Sequence, residues 1–332
     1  MIYTDPRQAV EPIQSLLEQA QRILVLSHVN PDGDAIGSML ATMHVLRALG
    51  KEAIAVASSP PVDYCAVLPG FTDLLVYQSG TTLPPCDLIW MVDVAHLSRA
   101  GLIYDEHAAF LNNRPLIIVD HHATNDGGGT VSLVQPQVPS CAEVLLDLFT
   151  ALAWPISADV ATCLYLSMLT DTQSFQTPNV APATMRRAAM LLEAGAAKQP
   201  VIDAVFFSIP PSTLRLTGMA MAQLQQEDGI FWTVVSQEML QAANADESAT
   251  DDTVSRLQRV AGMQACVLFR ERPDGTVKIS LRSVPGVDVA AVAQRWGGGG
   301  HRQAAGATLT MSLTAAVDAV LPALREAVHG KQ

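Results

Sequence analysis

The chain has 332 residues, of which 49% are hydrophobic and 16% are charged, and its formal net charge is −12. This composition excludes a disordered chain, and the length exceeds what one hydrophobic core usually supports, so we expect two domains. The acidic balance argues against a protein that coats long nucleic acid, which requires a basic surface. Binding of small phosphorylated substrates remains possible, because they need only a local cationic patch.

The five cysteines are scattered along the chain, and no two of them form a Cys-x-x-Cys pair. This pattern indicates buried thiols in a reducing compartment and argues against a disulfide framework or a zinc site. No run approaches the ~18 apolar residues of a membrane-spanning helix, and residues 1–14 lack the charge pattern of a secretory signal. We therefore expect a cytoplasmic protein that does not interact with membranes.

Three short apolar runs, at residues 22–27, 87–92 and 115–119, are predicted to be buried strands. The side chains that follow them are His28, Asp32 and Asp34 after the first run, Asp93 after the second, and Asp120, His121 and His122 after the third. In an open α/β sheet, ligands bind beyond the carboxyl ends of the strands. We therefore expect these side chains to lie together at one edge of a parallel sheet.

The segment after the first strand is predicted to be a tight turn, marked by Pro31 and Gly33, which leads into a helix that ends before Gly50. The short spacing lets Asp32 and Asp34 point at two neighbouring positions. An ordinary helix-capping turn is the alternative, because Asp and Gly are common in such turns. An imidazole at the preceding strand end favours a metal site.

Two further helices are predicted at residues 140–152 and 159–169, with Ser140 and Asp159 as their N-caps. The second helix ends beside Asp171, where the helix dipole disfavours an anion. A nearby cation would compensate, so Asp171 is a candidate sixth metal ligand, and a solvated turn is the alternative.

The second half of the chain changes character. Strands are predicted at residues 229–236, 265–272 and 276–282, and a helix is predicted at residues 287–295. A run of four glycines then precedes His301 and Arg302, and the small residues that follow are expected to be helical. Because glycine lets backbone amides approach an anion closely, we favour a phosphate or nucleotide pocket over a flexible linker. Arg282 is a second candidate phosphate ligand.

The donor set near the three strand ends contains carboxylates and imidazoles but no thiol. Such an oxygen-rich set suits Mn²⁺ or Mg²⁺ better than metals that prefer soft ligands. The carboxylates are too many for one small ion, and two ions bridged by one carboxylate would offset their mutual repulsion. A pair of this kind activates a water and holds a phosphoryl group, which predicts hydrolysis of a phosphate ester.

The ordered motifs resemble those of the DHH phosphoesterases over nearly the whole chain. They are His28-x-x-x-Asp32-x-Asp34, Asp93, Asp120-His121-His122, Asp171 and the glycine run that ends in His301. The resemblance implies an α/β fold, with a doubly wound, mostly parallel sheet in the N-terminal DHH domain. A smaller C-terminal α/β domain would follow, with the active site in the interdomain cleft. We place the DHH domain at residues 1–190, a helical linker at 191–228 and the DHH-associated, substrate-binding domain at 229–328.

Length and motif order are similar to those of the short-oligoribonucleotide hydrolases, or nano-RNases, that also dephosphorylate adenosine 3′,5′-bisphosphate. This resemblance implies two Mn²⁺ ions, with Mg²⁺ or Co²⁺ as alternatives. One ion would be held by His28, Asp32 and Asp93, and the other by Asp34, Asp93, His121 and Asp171. It also implies short RNA substrates, no long nucleic acid, and a homodimer.

The same resemblance implies a role for each remaining candidate. Asp93 would bridge the ions, Asp120 would orient the histidines, and His122 would contact the scissile phosphate. Substrate would be bound by Arg282, Gly298, Gly299, Gly300, His301 and Arg302. The pattern departs from the family at Gln173, where we expect glycine; this would alter the shape of the pocket but not metal binding.

Other activities are compatible with parts of this pattern. Related DHH proteins cleave cyclic di-AMP, which makes a cyclic dinucleotide phosphodiesterase the principal alternative. A family II pyrophosphatase lacks the glycine-rich motif, and RecJ-type exonucleases are longer and bind extended DNA. A nucleotide-sensing module without catalysis is the alternative from a different class, and the intact set of metal-capable residues argues against it.

Overall fold

The structure, a computed structural model, describes residues 1–330. The chain divides into two compact units, Met1–Ser208 and Ile209–Gln332, which are described separately below. Within the described range, no helix has both the length and the hydropathy needed to cross a membrane.

The first unit contains seven strands and seven α-helices. The strands are β1 (Ile2–Tyr3), β2 (Arg22–Leu26), β3 (Glu52–Ala57), β4 (Leu75–Val76), β5 (Leu88–Val92), β6 (Leu116–Asp120) and β7 (Val131–Val134). The helices are α1 (Pro6–Glu18), α2 (Gly33–Ala48), α3 (Leu102–Asn112), α4 (Cys141–Ala151), α5 (Ala158–Asp171), α6 (Pro182–Glu193) and α7 (Lys198–Phe206).

The seven strands form one sheet in the order β1-β7-β6-β5-β2-β3-β4, and every pairing between them is parallel. The chain builds outward from β2 to β4 in one direction and from β5 to β7 in the other. The prediction of a doubly wound α/β sheet is therefore confirmed. The order in which the chain adds strands reverses between the neighbouring strands β2 and β5. In doubly wound sheets the ligand site lies at such a reversal.

Alternate residues of the central strands belong to two different cores. In β2, Ile23 and Val25 join the core formed with α1, α2, α4 and α5, whereas Leu24 and Leu26 join the core on the other face, which includes Ile103 of α3. Because successive side chains of a strand point to opposite faces, a sheet covered on both sides needs apolar residues at every position. This explains why the strand signals in the sequence are continuous apolar runs.

Helices α2 and α5 pack in antiparallel fashion at close range. A Cβ atom added to Gly37 would lie 2.5 Å from the Cys163 carbonyl oxygen, and one added to Gly33 would meet the Thr170 side chain. Glycine at these positions lets the helix backbones approach. The N-terminus of α2 and the C-terminus of α5 consequently meet at the same end of the unit.

The second unit contains a mixed sheet. Its strands are β8 (Gln225–Glu227), β9 (Ile230–Val235), β10 (Ala265–Glu271), β11 (Val277–Ser283), β12 (Gly299–His301) and β13 (Ala304–Leu309). Its helices are α8 (Pro211–Met221), α9 (Gln237–Ala243), α10 (Thr250–Leu257), α11 (Val289–Gln294) and α12 (Leu313–His329). The strand order is β12-β13-β11-β10-β9-β8, and among these pairs β9 and β10 are parallel while the others are antiparallel.

Helices cover both faces of this second sheet. In β10, Val267 and Phe269 pack in a core that includes residues of α11 and α12, and Cys266 and Leu268 pack in a core that includes residues of α8, α9 and α10. The unit is thus a smaller α/β domain, as predicted. The predicted linker, residues 191–228, contains α7 and α8, which contribute Val201 to the first unit's core and Leu216 to a core of the second.

The predictions for the segment after Arg302 and for the N-cap of α5 are wrong. The small residues expected to be helical after Arg302 form β13, because their contacts with β11 and β12 outweigh the weak strand preference of alanine. Helix α5 is capped by Ser157, whose side chain accepts a hydrogen bond from Val160, and not by Asp159, which lies in the first turn. The two-residue strand β4 gave no recognisable signal in the sequence.

Substitution of Gly37 tests the close approach of α2 and α5. We expect Gly37→Ala to lower the free energy of unfolding by about 1–3 kcal/mol, because the new methyl group meets backbone that cannot move aside easily. Gly218→Ala in α8 is the matched control: nothing lies within 4 Å of its added Cβ, so better helix propensity should stabilise by about 0.5–1 kcal/mol. Urea unfolding measures both, and equal effects at the two sites would contradict the packing.

Candidate metal centre

The candidate metal centre lies at the ends of β2 and β5, where the strand order reverses. The Ser27 hydroxyl, just after β2, donates to the Val92 carbonyl at the end of β5 over 2.8 Å, which ties the two strand ends together. The Asp93 amide donates to the Val119 carbonyl of β6 over 3.0 Å. Asp93 itself has a φ of +56°, a left-handed conformation that is uncommon outside glycine. The turn it makes places its carboxylate between the tips of three strands.

One cluster of potential ligands contains His28, Asp32 and Asp93, each offering one atom within 4.8 Å of the others. The His28 Nε2 lies 3.4 Å from an Asp93 oxygen. Its Nδ1 lies 2.9 Å from the Val29 carbonyl, so Nδ1 carries the proton and Nε2 is the nitrogen available to a metal. The ring is therefore oriented before any ion binds.

Asp32 serves both of the functions that the sequence left as alternatives. It is the N-cap of α2, with Oδ1 accepting a hydrogen bond from the Ala35 amide over 3.0 Å. It also belongs to the cluster with His28 and Asp93. A carboxylate has two oxygens, so capping the helix does not prevent the second from facing a cation.

The second cluster contains Asp34, His121 and Asp171. The His121 Nε2 lies 3.8 Å from Asp34, 3.6 Å from Asp171 and 3.3 Å from Asp93. The His121 Nδ1 faces the Val138 carbonyl at 3.4 Å, which again leaves Nε2 toward the carboxylates. Because Asp93 is close to both His28 and His121, it lies between the two clusters.

Asp34 is held by three helices. From its place in α2, the buried carboxylate accepts hydrogen bonds from the backbone amides of Cys141 and Ala142, over 2.8 and 3.3 Å, at the N-terminus of α4. The hydroxyls of Ser38 in α2 and Ser167 in α5 also donate to it. A helix N-terminus stabilises negative charge, so the site is built to hold a carboxylate. Reasoning from the sequence missed all four donors, because none lies in a metal-binding motif.

The cap of α4 differs from the prediction. Ser140 occupies the N-cap position, but its side chain makes no capping hydrogen bond. The Asp34 carboxylate, which is 107 residues away from Cys141 along the chain, takes that place. The N-terminus of α4 is therefore coupled directly to the candidate metal ligand.

Asp171 is the last residue of α5. Burial raises its pKa to about 6, and the neighbouring Asp93 and Asp32 raise it while His121 lowers it. The three residues Gln173, Ser174 and Phe175 follow with φ of +49°, +63° and +64°. The departure from glycine at Gln173 thus falls on a left-handed residue, where glycine would be less strained.

The clustered charges show that this centre fits cations. Burial, together with Asp93 and Asp171, raises the pKa of Asp34 well above its usual range. Burial opposes the charged form of His121, yet the Asp93 carboxylate 3.3 Å away and the other carboxylates around the ring raise its pKa to about 10. One Asp93 oxygen is buried without a hydrogen-bond partner in the described structure. Divalent ions would supply both the missing partner and the missing positive charge.

His122 has different surroundings from its neighbour. Its Nδ1 lies 2.7 Å from an oxygen of the fully buried Asp120, and its side chain is 48% exposed. Nδ1 therefore donates to Asp120, and Nε2 is the nitrogen available to a substrate. We expected Asp120 to orient both histidines, but of the two it hydrogen-bonds His122 alone, because the His121 Nδ1 faces a backbone carbonyl.

The substrate candidates of the second unit lie in and beside one hairpin. Arg282 of β11 and His301 of β12 are both register partners of Ala304 in the intervening strand β13, so they share one face of the sheet. The Arg302 guanidinium lies 3.1 Å from Asp288. A Cβ on Gly298 or Gly300 would collide with the backbone of β13, so these glycines permit close strand pairing.

Comparisons with known proteins agree with these features. Residues 22–168 match the DHH family, N-terminal domain, and residues 232–330 match the DHHA1 domain. The bifunctional oligoribonuclease and PAP phosphatase NrnA of Thermus thermophilus is 36% identical over 306 residues, which cover 92% of this chain and 89% of that protein. The cyclic-di-AMP phosphodiesterase GdpP of Geobacillus thermodenitrificans is 25% identical, and the match covers 96% of this chain and 48% of GdpP.

A solved structure has the same architecture. An exopolyphosphatase-related protein from Bacteroides fragilis is similar with a TM-score of 0.88 and 25% identity, and the match covers 96% of each chain. The chain belongs to the DHH family of metal-dependent phosphoesterases, with a DHH domain followed by a DHHA1 domain.

Proposed function

We propose that this enzyme hydrolyses short oligoribonucleotides, linear dinucleotides among them, to mononucleotides, and removes the 3′-phosphate of adenosine 3′,5′-bisphosphate. The observation that carries this proposal is the pair of ligand clusters at the ends of β2 and β5, where the strand order reverses. Asp93 belongs to the first cluster and lies 3.3 Å from His121 of the second. A site of this kind suits phosphate esters. The substrate class is supported by the relative that is 36% identical and named an oligoribonuclease and PAP phosphatase.

We assign two divalent cations to the centre, Mn²⁺ in the first place and Mg²⁺ or Co²⁺ as alternatives, because the donors are carboxylates and imidazoles. One set is His28, Asp32 and Asp93, and the other is Asp34, Asp93, His121 and Asp171. When bound, the ions would lower the pKa of a water and neutralise charge on the phosphoryl group. The four donors to Asp34 and the backbone carbonyls that face the Nδ1 atoms of His28 and His121 orient these side chains before any ion binds.

His122 is assigned to the leaving group. The hydrogen bond with Asp120 raises the pKa of His122, although burial of part of the ring opposes this. With Nδ1 committed to Asp120, the second proton of the imidazolium sits on Nε2, where it can be given to the departing oxygen. Asp120 therefore contributes orientation and charge.

The second domain is assigned to substrate recognition. We propose that Arg282 of β11 and His301 of β12, at one register on either side of β13, bind the nucleotide or its terminal phosphate together with Gly298, Gly299, Gly300 and Arg302. The sequence division into residues 1–190, 191–228 and 229–328 remains our proposal for the functional parts. We also propose a homodimer in the cytoplasm; the five buried free thiols support a reducing compartment.

A cyclic-di-AMP phosphodiesterase is the second candidate, since GdpP matches 96% of this chain. The two functions are separated by giving the enzyme a 5′-phosphorylated ribodinucleotide, adenosine 3′,5′-bisphosphate and cyclic di-AMP in parallel, with Mn²⁺ and then with chelator. Mononucleotide release from the linear substrate, stopped by chelator and by Asp93→Ala, is the expected result. Cleavage of the cyclic substrate alone would establish the alternative, and binding without turnover would indicate a nucleotide-sensing module.

The variant Asp171→Asn distinguishes the effect of this carboxylate on the stability of the metal-free protein from its effect on metal binding. The folded-state pKa of Asp171 is raised to about 6, so its ionised form destabilises the metal-free protein; this effect is absent below about pH 4 and complete above about pH 6. At pH 7.5 in chelator, the variant should be more stable than wild type by on the order of 1–2 kcal/mol, and at pH 4 nearly equal.

Addition of Mn²⁺ should then reverse the order, because Asn is a poorer ligand than a carboxylate. Thermal unfolding with and without Mn²⁺ measures both effects. Asp159→Asn, at the other end of the same helix, is the matched control and should lose a little stability in either condition, since an anion there favours the helix dipole. An equal Mn²⁺-induced rise in Tm for wild type and Asp171→Asn would remove this residue from the metal site.

His301→Ala tests the second domain. We expect KM for a ribodinucleotide to rise about tenfold, corresponding to the loss of one hydrogen bond to a charged group, while the Mn²⁺-induced rise in Tm is unchanged. His329→Ala, at the end of α12, is a control that should leave both quantities unaltered. An unchanged KM in His301→Ala would exclude the glycine-rich hairpin from substrate binding.

A further inference from the structure

Asn125 uses both ends of its side-chain amide. It lies in the loop after His122, and its Nδ2 donates to the second oxygen of Asp120 over 2.8 Å and approaches the Val94 carbonyl at 3.4 Å. Its Oδ1 accepts from the Gly127 amide over 2.9 Å. Only one amide orientation satisfies these contacts, because a carboxylate and a carbonyl need a donor and a backbone N–H needs an acceptor.

Asp120 depends on this amide. The carboxylate is fully buried, and in the described structure its two oxygens have one side-chain partner each, His122 and Asn125. Loss of the Asn125 donor would leave a buried anionic oxygen without its partner, and the carboxylate would be free to rotate. Rotation would release the hydrogen bond that holds His122.

The contact with Val94 links two strand ends. Val94 follows Asp93 directly, and the Asn125 backbone amide donates to the His122 carbonyl over 3.1 Å. A single residue thus joins the loop after β6 to the loop after β5. The lengths of these contacts make the bond to Asp120 the stronger of the two side-chain links.

We propose that Asn125 is a positioning residue that acts through Asp120 on His122. This role rests on the proposed function, in which His122 serves the leaving group. The hydrogen bonds of the Asn125 side chain reach Asp120, Val94 and Gly127, and none of these residues is a proposed metal ligand or is assigned to substrate binding.

The competing explanation is that Asn125 only shapes its turn through Gly127. Asn125→Asp distinguishes the two, because an Asp oxygen still accepts from Gly127 while the donor to Asp120 is replaced by a second carboxylate. We expect kcat to fall about 10–100-fold, the usual effect of removing a group that orients a reacting side chain, with KM unchanged. Asn125→Ser keeps an acceptor for the turn but cannot reach Asp120, so it should also lower kcat and leave KM unchanged. This variant is needed if the charge added by Asn125→Asp disturbs folding.

Asn113→Asp is the matched control, since the Asn113 side chain contacts a carbonyl of its own helix, Ala109, and nothing in the site. In a His122→Ala background, Asn125→Ser should cause no further loss of kcat, because its effect passes through the missing imidazole. An equal loss in both backgrounds would show a general structural role and overturn the proposal.

A second measurement does not depend on activity. In protein labelled with ¹⁵N-histidine, the Nδ1 proton of His122, assigned by its absence in His122→Gln, should shift in Asn125→Ser and stay in place in Asn113→Asp. An unchanged resonance with unchanged kcat would overturn the role of Asn125. If wild type itself hydrolyses no nucleotide, the proposed function fails, and this resonance alone decides whether Asn125 positions His122.

Discussion

The Asp34 carboxylate joins the three helices on which the centre depends. Asp34 lies in α2, and its carboxylate caps the N-terminus of α4 and accepts a hydrogen bond from the Ser167 hydroxyl of α5. The close packing of α2 on α5, permitted by Gly33 and Gly37, brings the first turn of one helix to the last turn of the other. Asp34 and Asp171 face the same imidazole as a consequence. Core packing and the geometry of the site are therefore one constraint.

The same packing makes the metal-free centre electrostatically unfavourable, because it brings several carboxylates close together. Several buried carboxylates lie within a few ångströms of one another, and burial disfavours their charged forms. The protein places imidazoles and helix dipoles among them, which stabilises part of the charge. Cations would complete the compensation, so the residues that destabilise the metal-free fold are the candidate metal ligands.

The two adjacent histidines have different hydrogen-bond partners. His121 is turned toward Asp34, Asp93 and Asp171, with its other nitrogen on a carbonyl. His122 gives its Nδ1 to the buried Asp120 and keeps half of its side chain exposed. Both residues lie just beyond the end of β6, and their ring centroids are 4.7 Å apart. His122 also forms a potential ligand group with Asp93 and His121, but its bond to Asp120 and its greater exposure distinguish it from His121.

Much of the fold and site could be predicted from local features of the sequence. Continuous apolar runs, each followed by acids or imidazoles, marked the strands and the edge where His28, Asp93 and His121 meet, because burial on both faces of a parallel sheet leaves that pattern in any chain. The order of the motifs also indicated the family.

Tertiary structure decided what depends on distant neighbours. The cap of α4 comes from Asp34, far away in the chain, while the local Ser140 makes no capping bond. The small residues after Arg302 became a strand because β11 and β12 pair with them. The Val138 carbonyl faces His121, whereas the Asp120 carboxylate binds His122. Which partner each histidine has follows from the loops that lie beside the end of β6. Local sequence specifies which side chains reach the edge of the sheet, whereas hydrogen bonds between elements determine which atom of each side chain faces the site.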